Sequence, residues 1–198
     1  MTAVVLASTS ATRASILRRA GLDFQVVASG VEENEVKSRL MGEAQQPATV
    51  ARALAALKAA AVSKGRRSDL VIGADQTLEC DGALMDKAAS VSEARAHLRL
   101  LRGRGHRLHS AVALAQAGRV IWETIETASL FMRPFSDVFL DRYLAREGKR
   151  ILGSVGCYRL EGRGAQLFDT IEGDYFAILG LPLLPLLAAL RTRSVLAT

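Results

Sequence analysis

Aromatic residues are scarce, at 5% of the 198-residue chain. A platform that stacks single-stranded bases needs several exposed rings, so that class of binding is disfavoured. Cysteine is also rare: Cys80 and Cys157 are the whole complement. Two thiols make no disulfide framework and fit a reducing compartment. His97, His106 and His109 lack zinc-ligand spacing with either cysteine, so a structural zinc site is not expected. The longest apolar run, Ala177 to Leu190, contains Gly180, Pro182 and Pro185. It falls short of the roughly 20 residues that span a bilayer. The N-terminus lacks the charged-then-apolar pattern of a signal peptide. These absences together predict a cytoplasmic protein with no membrane partner. Three signatures are missing as well. No GxxxxGK[ST] excludes a P-loop ATPase, no GxGxxG a dinucleotide fold, and no GxSxG a serine-hydrolase elbow.

What is present is apolar and basic. Nearly half the residues are apolar, enough for a packed core. Lys and Arg number 26 against 20 Asp and Glu, a net charge of +6 that favours anionic partners. The cations are spread along the chain without interleaved aromatics, so nucleic acid is not the expected anion. No repeat, linker or low-complexity stretch divides residues 1–198, and one domain is expected.

Apolar and polar periodicities predict strands at 3–6, 24–28, 70–73, 106–115, 120–131, 155–160 and 176–179. Helices are expected at 12–19, 47–64, 91–101, 136–147 and 182–193, with helical character at 167–171. Gly21 would end the first helix, and Ser136 would cap another. Residues 31–46 read as a loop with a helical turn. Asp81-Gly82 between apolar residues signals a hairpin. Alternating strands and helices interrupted by hairpins give an α/β fold with a mixed twisted sheet, flanking helices and two lobes around a cleft.

The opening stretch "LASTSATR" carries the first chemical signal. A strand ending in Ser8, Thr9 and Ser10 before a helix presents backbone N–H groups and a helix dipole to an anion. Arg13 would fork two phosphate oxygens. The plain alternative is a capping Ser10 and a solvated Arg13. In "VIGADQT" an apolar strand runs through small residues into Asp75, where α/β folds place ligands. Asp75 would ligate a metal or orient a water, or else merely cap a turn. Glu32 and Glu33 form a second acidic site, which with Asp75 suits a hard cation. Alone, such a pair is usually solvated. Lys58 lies in an Ala-rich helix, where snorkelling is the simpler account, and Lys87 follows the hairpin in "MDKAAS".

Seven stretches in order resemble the Maf family of nucleotide pyrophosphatases: "LASTSATR", "GVEENE", "LAALKAAA", "VIGADQT", "MDKAAS", "LRLLRGRGHRLHSAVAL" and "EGRGAQLFDTIEGDYFAILGLPL". The resemblance implies a Maf/ITPase-like fold with a deep cleft between two lobes, often as a homodimer. It implies hydrolysis of a nucleoside triphosphate to monophosphate and pyrophosphate, with Mg²⁺ or Mn²⁺. Carried over by position, Ser8, Arg13, Lys58 and Lys87 match phosphate-binding residues, with Ser10 in the same turn. Glu33 and Asp75 match the metal-holding and water-activating acids, and Gln76 is expected in the same pocket. The family's links to septum formation leave a non-catalytic nucleotide-binding regulator as the alternative.

This chain departs from the family pattern in places. The usual S-P-R-R is Ser10-Ala11-Thr12-Arg13, GADT is Gly73-Ala74-Asp75-Gln76, and K-P is Lys87-Ala88. A stretch like DKAGAYGIQG in members of thymidine/uridine type is here "GSVGCYRLEG", with Ser154 and Glu161 at the lysine and glutamine positions. Asp75-Gln76 with "LEGRGAQLF" is closer to the branch that prefers 7-methyl-GTP. There Glu161 would face the methylated guanine, and Arg159 would pair with it or reach a phosphate.

Overall fold

A computed structural model describes residues 3–197; Met1, Thr2 and Thr198 of the expected domain lie outside it. The centre is a seven-stranded sheet. Strand β1 (Val4–Leu6) pairs in parallel with β2 (Gln25–Val26) on one side and β3 (Leu70–Cys80) on the other. The rest is antiparallel: β3 with the short β4 (Ala83–Met85) and with β5 (Gly105–Gln116), β5 with β6 (Arg119–Met132), and β6 with β7 (Phe168–Glu172). The parallel part needs a long crossover from β1 to β3. That crossover carries α2 (Glu33–Gly42) and α3 (Pro47–Lys64). The other helices are α1 (Ala11–Arg19), α4 (Val91–Leu101), α5 (Asp137–Glu147), the single-turn α6 (Tyr175–Ile178) and α7 (Leu183–Arg191).

Local chemistry accounts for many boundaries. Ser10, Ser90 and Ser136 cap α1, α4 and α5, each accepting from the backbone N–H three residues on. Gly21, at φ +75°, takes the left-handed position after α1. Asp81 and Gly82 both have positive φ, as the primed hairpin turn between β3 and β4 requires. Two large apolar cores lie within the molecule. One joins α1, α7, β1, the first half of β3 and the second half of β5 around Leu6, Leu17, Ile72, Leu114 and Leu186. The other joins α4, α5 and the far halves of β3, β5 and β6 around Leu78, Leu98, Leu130, Met132, Leu140 and Ile151.

Several expectations differ from the structure. Residues 31–46 contain a true helix, α2, rather than a loop. It buries none of its residues, so it lacks the apolar stripe that periodicity detects; Glu33 and Glu35 in its first turn and Arg39 in its last suit its dipole. The second strand shrinks from 24–28 to two exposed residues. The third runs on past Gly73 to Cys80, so Asp75 and Gln76 are mid-strand residues and not turn residues. Residues 155–160 form no strand: Cys157 is left-handed at φ +56°, which breaks the extended run. Val155, Cys157 and Tyr158 are nevertheless buried, the feature that imitates a strand. The helical expectation at 167–171 falls on β7, an edge strand held by pairing with residues 129–132 of β6. The strand expected at 176–179 is instead α6, because Asp174 accepts from Ala177 N at 2.8 Å and nucleates a turn. Propensity yields in both places to tertiary pairing or capping.

Candidate active site

Helix α3 lies directly over β3, and Gly73 permits the approach. A Cβ at Gly73 would sit 2.5 Å from Ala59 N and would also overlap Ala55 O. Two residues on, the same strand face meets the helix again: Lys58 Nζ donates to Asp75 Oδ1 at 2.6 Å. Two further on, Thr77 Oγ1 donates to Pro47 O at 2.9 Å. The period of two along the strand thus sets a carboxylate under a lysine inside the protein. Lys58 and Asp75 are 4% and 5% exposed. Glu33, from the first turn of α2, places Oε1 2.7 Å from the same ammonium. Two acids from different elements therefore share one buried cation. Burial pushes the Glu33 carboxyl up. The hydrogen bond from Lys58 and the charges of Lys58, Lys87 and Lys37 outweigh it, and the group ends below its ordinary value.

The α1 turn faces this cluster. Ser8 Oγ accepts from Ser10 N at 3.2 Å, and Ser10 Oγ caps α1 by accepting from Arg13 N at 3.3 Å. Arg13 is not the solvated side chain of the plain alternative. Its Nε donates to Gly180 O at 2.8 Å and its Nη1 to Ser8 Oγ at 3.4 Å. Burial lowers its pKa, with Asp75 and Glu33 opposing, but a guanidinium stays charged. Lys87 is held below its ordinary value by desolvation and by Arg13, against Glu33 and Asp75. Gln76 leaves the opposite face of β3 from Asp75 and bonds to Ser110 and the end of α6.

The sequence-predicted side chains line one cleft of about 660 Å³. Ser8, Ser10, Arg13, Glu33, Lys58, Asp75, Gln76, Lys87 and Glu161 are all in its wall. Glu32 is not, so the acidic pair of the sequence is split. Sequence reasoning missed Lys37 and Arg150, which also line it. Lys37 follows Glu33 by one helical turn, so reading α2 as a helix would have found it. Arg150 carried no signal. In total six cationic side chains face three carboxylates in the wall, a positive field suited to a polyanion. Glu161, in the same wall, ion-pairs with Arg159 at 3.2 Å. Both also line a second, more apolar cavity of about 480 Å³ beside Ile16, Tyr175 and Phe176.

The described residues contain no group of three or more His, Cys, Asp or Glu that could by itself hold a metal ion. Glu33 and Asp75 each spend one oxygen on Lys58 and keep a second. Two carboxylates completed by substrate phosphates are a donor set that fits Mg²⁺ or Mn²⁺. No helix among the described residues is long and apolar enough to cross a membrane.

The fold and site define an α/β protein with a basic, acid-floored cleft built where a strand turns into a helix. The chain belongs to the Maf-like protein family, whose model matches residues 3–193. A nucleoside triphosphate pyrophosphatase of Caulobacter vibrioides is 55% identical over 99% of this chain and 98% of its own length. One from Granulibacter bethesdensis is 51% identical over 98% of both. A 7-methyl-GTP pyrophosphatase of Rhizobium meliloti is 46% identical over 95% of this chain and 94% of its own. A HAM1 protein from Coxiella burnetii overlaps 67% of this chain and 73% of its own, at TM-score 0.45 and 16% identity, too distant to bear on the site.

Proposed function

We propose that this protein is a nucleoside triphosphate pyrophosphatase, releasing a nucleoside monophosphate and pyrophosphate. The observation that carries the reading is the convergence of Arg13, Lys58 and Lys87 with Glu33 and Asp75 in one cleft. The relatives named for this activity over their full length agree with it.

In this mechanism the triphosphate lies against the N-terminus of α1, where Ser8, Ser10 and Arg13 receive its oxygens. Water attacks the α-phosphorus. Asp75 accepts the water's proton on the oxygen that Lys58 leaves free, with ligation of a divalent cation as the competing or shared role of that oxygen. A phosphorus–oxygen bond forms to the water, and the bond to the α–β bridging oxygen breaks. Arg13 and Lys87 stabilise the charge that grows on the leaving pyrophosphate. Lys58 holds Asp75 and Glu33 in place. Glu33 and Asp75 would hold a divalent cation, which would neutralise phosphate charge and make the α-phosphorus more electrophilic.

The base is the finer part of the proposal. Glu161 is a wall carboxylate paired with Arg159, suited to a cationic or N–H-rich base such as 7-methylguanine. The rhizobial relative named for 7-methyl-GTP is consistent with that preference. The test is pyrophosphate release from 7-methyl-GTP, GTP, UTP and dTTP with Mg²⁺ or Mn²⁺. We expect 7-methyl-GTP to be turned over fastest, and chelation to abolish activity. Equal rates, or preference for dTTP, reject the base assignment alone. Binding of all four without pyrophosphate release rejects the enzyme and favours the nucleotide-binding regulator.

A further inference from the structure

Ser110 sits in the middle of β5, in register with Gln76 of β3, and is fully buried outside the cleft. Its hydroxyl has one proton, which it gives to Ala177 O at 2.6 Å. Toward Gln76 it is therefore an acceptor, and Gln76 Nε2 lies 2.9 Å from its Oγ. The same Nε2 lies 3.0 Å from Ile178 O and 3.1 Å from Ala177 O. Backbone carbonyls only accept, so the amide nitrogen must be the atom facing them. Ala177 O also receives Gly180 N at 2.8 Å, which with the Ser110 proton fills its two lone pairs. The two amide protons thus go to Ser110 Oγ and Ile178 O.

This arrangement matters because α6 is only one turn long and its last carbonyls need donors. Gln76 and Ser110 supply those donors from the sheet. The turn they pin ends at Gly180, whose φ of +97° is open to glycine. The Gly180 carbonyl receives Arg13 Nε, and the Arg13 side chain packs against Gly180 beside Gln76 Oε1. With Nε so occupied and Nη1 on Ser8, the guanidinium fork has a fixed direction into the cleft.

We propose that Ser110 is a positioning residue for the phosphate site, acting through Gln76 and the Ala177–Gly180 turn to aim Arg13. The proposal rests on the reading of the cleft as a triphosphate site. It requires that removing the hydroxyl loosens the turn and weakens the grip on phosphate. The acids on the other face of β3 should be left in place.

The experiment measures tripolyphosphate binding by calorimetry and nucleotide turnover for wild type, Ser110→Ala, Ser110→Thr, Arg13→Ala and the double variant Ser110→Ala/Arg13→Ala. Circular dichroism establishes that each is folded. We expect Ser110→Ala to weaken tripolyphosphate binding and raise KM about tenfold, with kcat changed less than about threefold. A folded Ser110→Thr, which keeps the hydroxyl, should bind within about threefold of wild type. In the Arg13→Ala background the Ser110 substitution should cost less than about twofold, because the element it aims is gone. Undiminished binding by Ser110→Ala, or an equal loss in both backgrounds, overturns the proposal. So does a folded Ser110→Thr as weak as Ser110→Ala. Tripolyphosphate binding is read without turnover. A wild type that binds without hydrolysing therefore sinks the enzymatic reading and leaves this one in force.

Discussion

Replacing Asp75 by Asn separates binding from chemistry. The two side chains are nearly isosteric, and the amide oxygen introduced by Asp75→Asn can still accept from Lys58 Nζ, now 2.6 Å from Asp75 Oδ1. Lys58 keeps its second partner, Glu33, at 2.7 Å, so the ammonium is not left unpaired. Exchanging a carboxylate acceptor for an amide one on the same ammonium costs about 1–2 kcal/mol of stability, and the protein should remain folded. The cleft loses one negative charge from its wall, so the field at a triphosphate becomes more positive. Measured without a divalent cation, which Asp75 would help to hold, nucleotide binding should therefore hold or tighten. Loss of the proton acceptor should lower kcat by about 10²–10⁴. Pyrophosphate release gives the rate, and calorimetry with a non-hydrolysable triphosphate gives the affinity. A folded Asp75→Asn variant with near-wild-type kcat would refute the role assigned to this carboxylate. A variant that loses binding and turnover in parallel would mean that Asp75 only organises the pocket.

Two further outcomes follow from packing. His106 is 3% exposed, bonds Tyr158 through Nε2 at 2.8 Å, and has no partner for Nδ1 among the described residues; burial pushes its pKa from 6.5 to about 4. The unfolded chain takes up this proton near pH 6.5 and the native protein only near pH 4, so stability falls as pH drops through that window, by about 3 kcal/mol at pH 4. Urea unfolding should show that loss in wild type but not in a folded His106→Phe variant, and equal acid sensitivity would contradict it. Gly73→Ala should destabilise toward the upper end of about 1–3 kcal/mol, since its Cβ meets Ala59 N and Cβ at 2.5 and 2.8 Å and α3 must retreat. The retreat stretches Lys58 from Asp75, so turnover should fall with the melting temperature. An unchanged melting temperature would show that α3 yields freely.

Much of the molecule was readable along the chain because its signals are local. Ser10, Ser90 and Ser136 bond backbone groups three residues away. Asp81-Gly82 makes its turn from its own backbone preferences. The apolar runs of β1, β5 and β6 and the 47–64 helix announce themselves by period and length. Errors fall where a distant edge, an overlooked local cap or an unburied helix face decides. Residues 168–172 are a strand only because β6 offers an edge, and 175–178 are helical only because Asp174 caps them. Helix α2 escaped because it buries no face for periodicity to report.

The candidate site divides in the same way. Composition and motif order alone were enough to set an α/β chain of basic balance with acids and cations suited to a triphosphate, because residue type carries charge and hydrogen-bonding capacity wherever it falls. Folding alone could settle that Lys58 stands between Glu33 and Asp75, 25 and 17 positions away, and that Arg13 leans on Gly180, 167 positions on. It alone could reveal Ser110 as a donor to Ala177, a role that nothing in "LHSAV" suggests. The direction and partner of a side chain depend on which backbone comes to lie beside it, and that is a property of the packed sheet and helices rather than of any neighbouring stretch of chain.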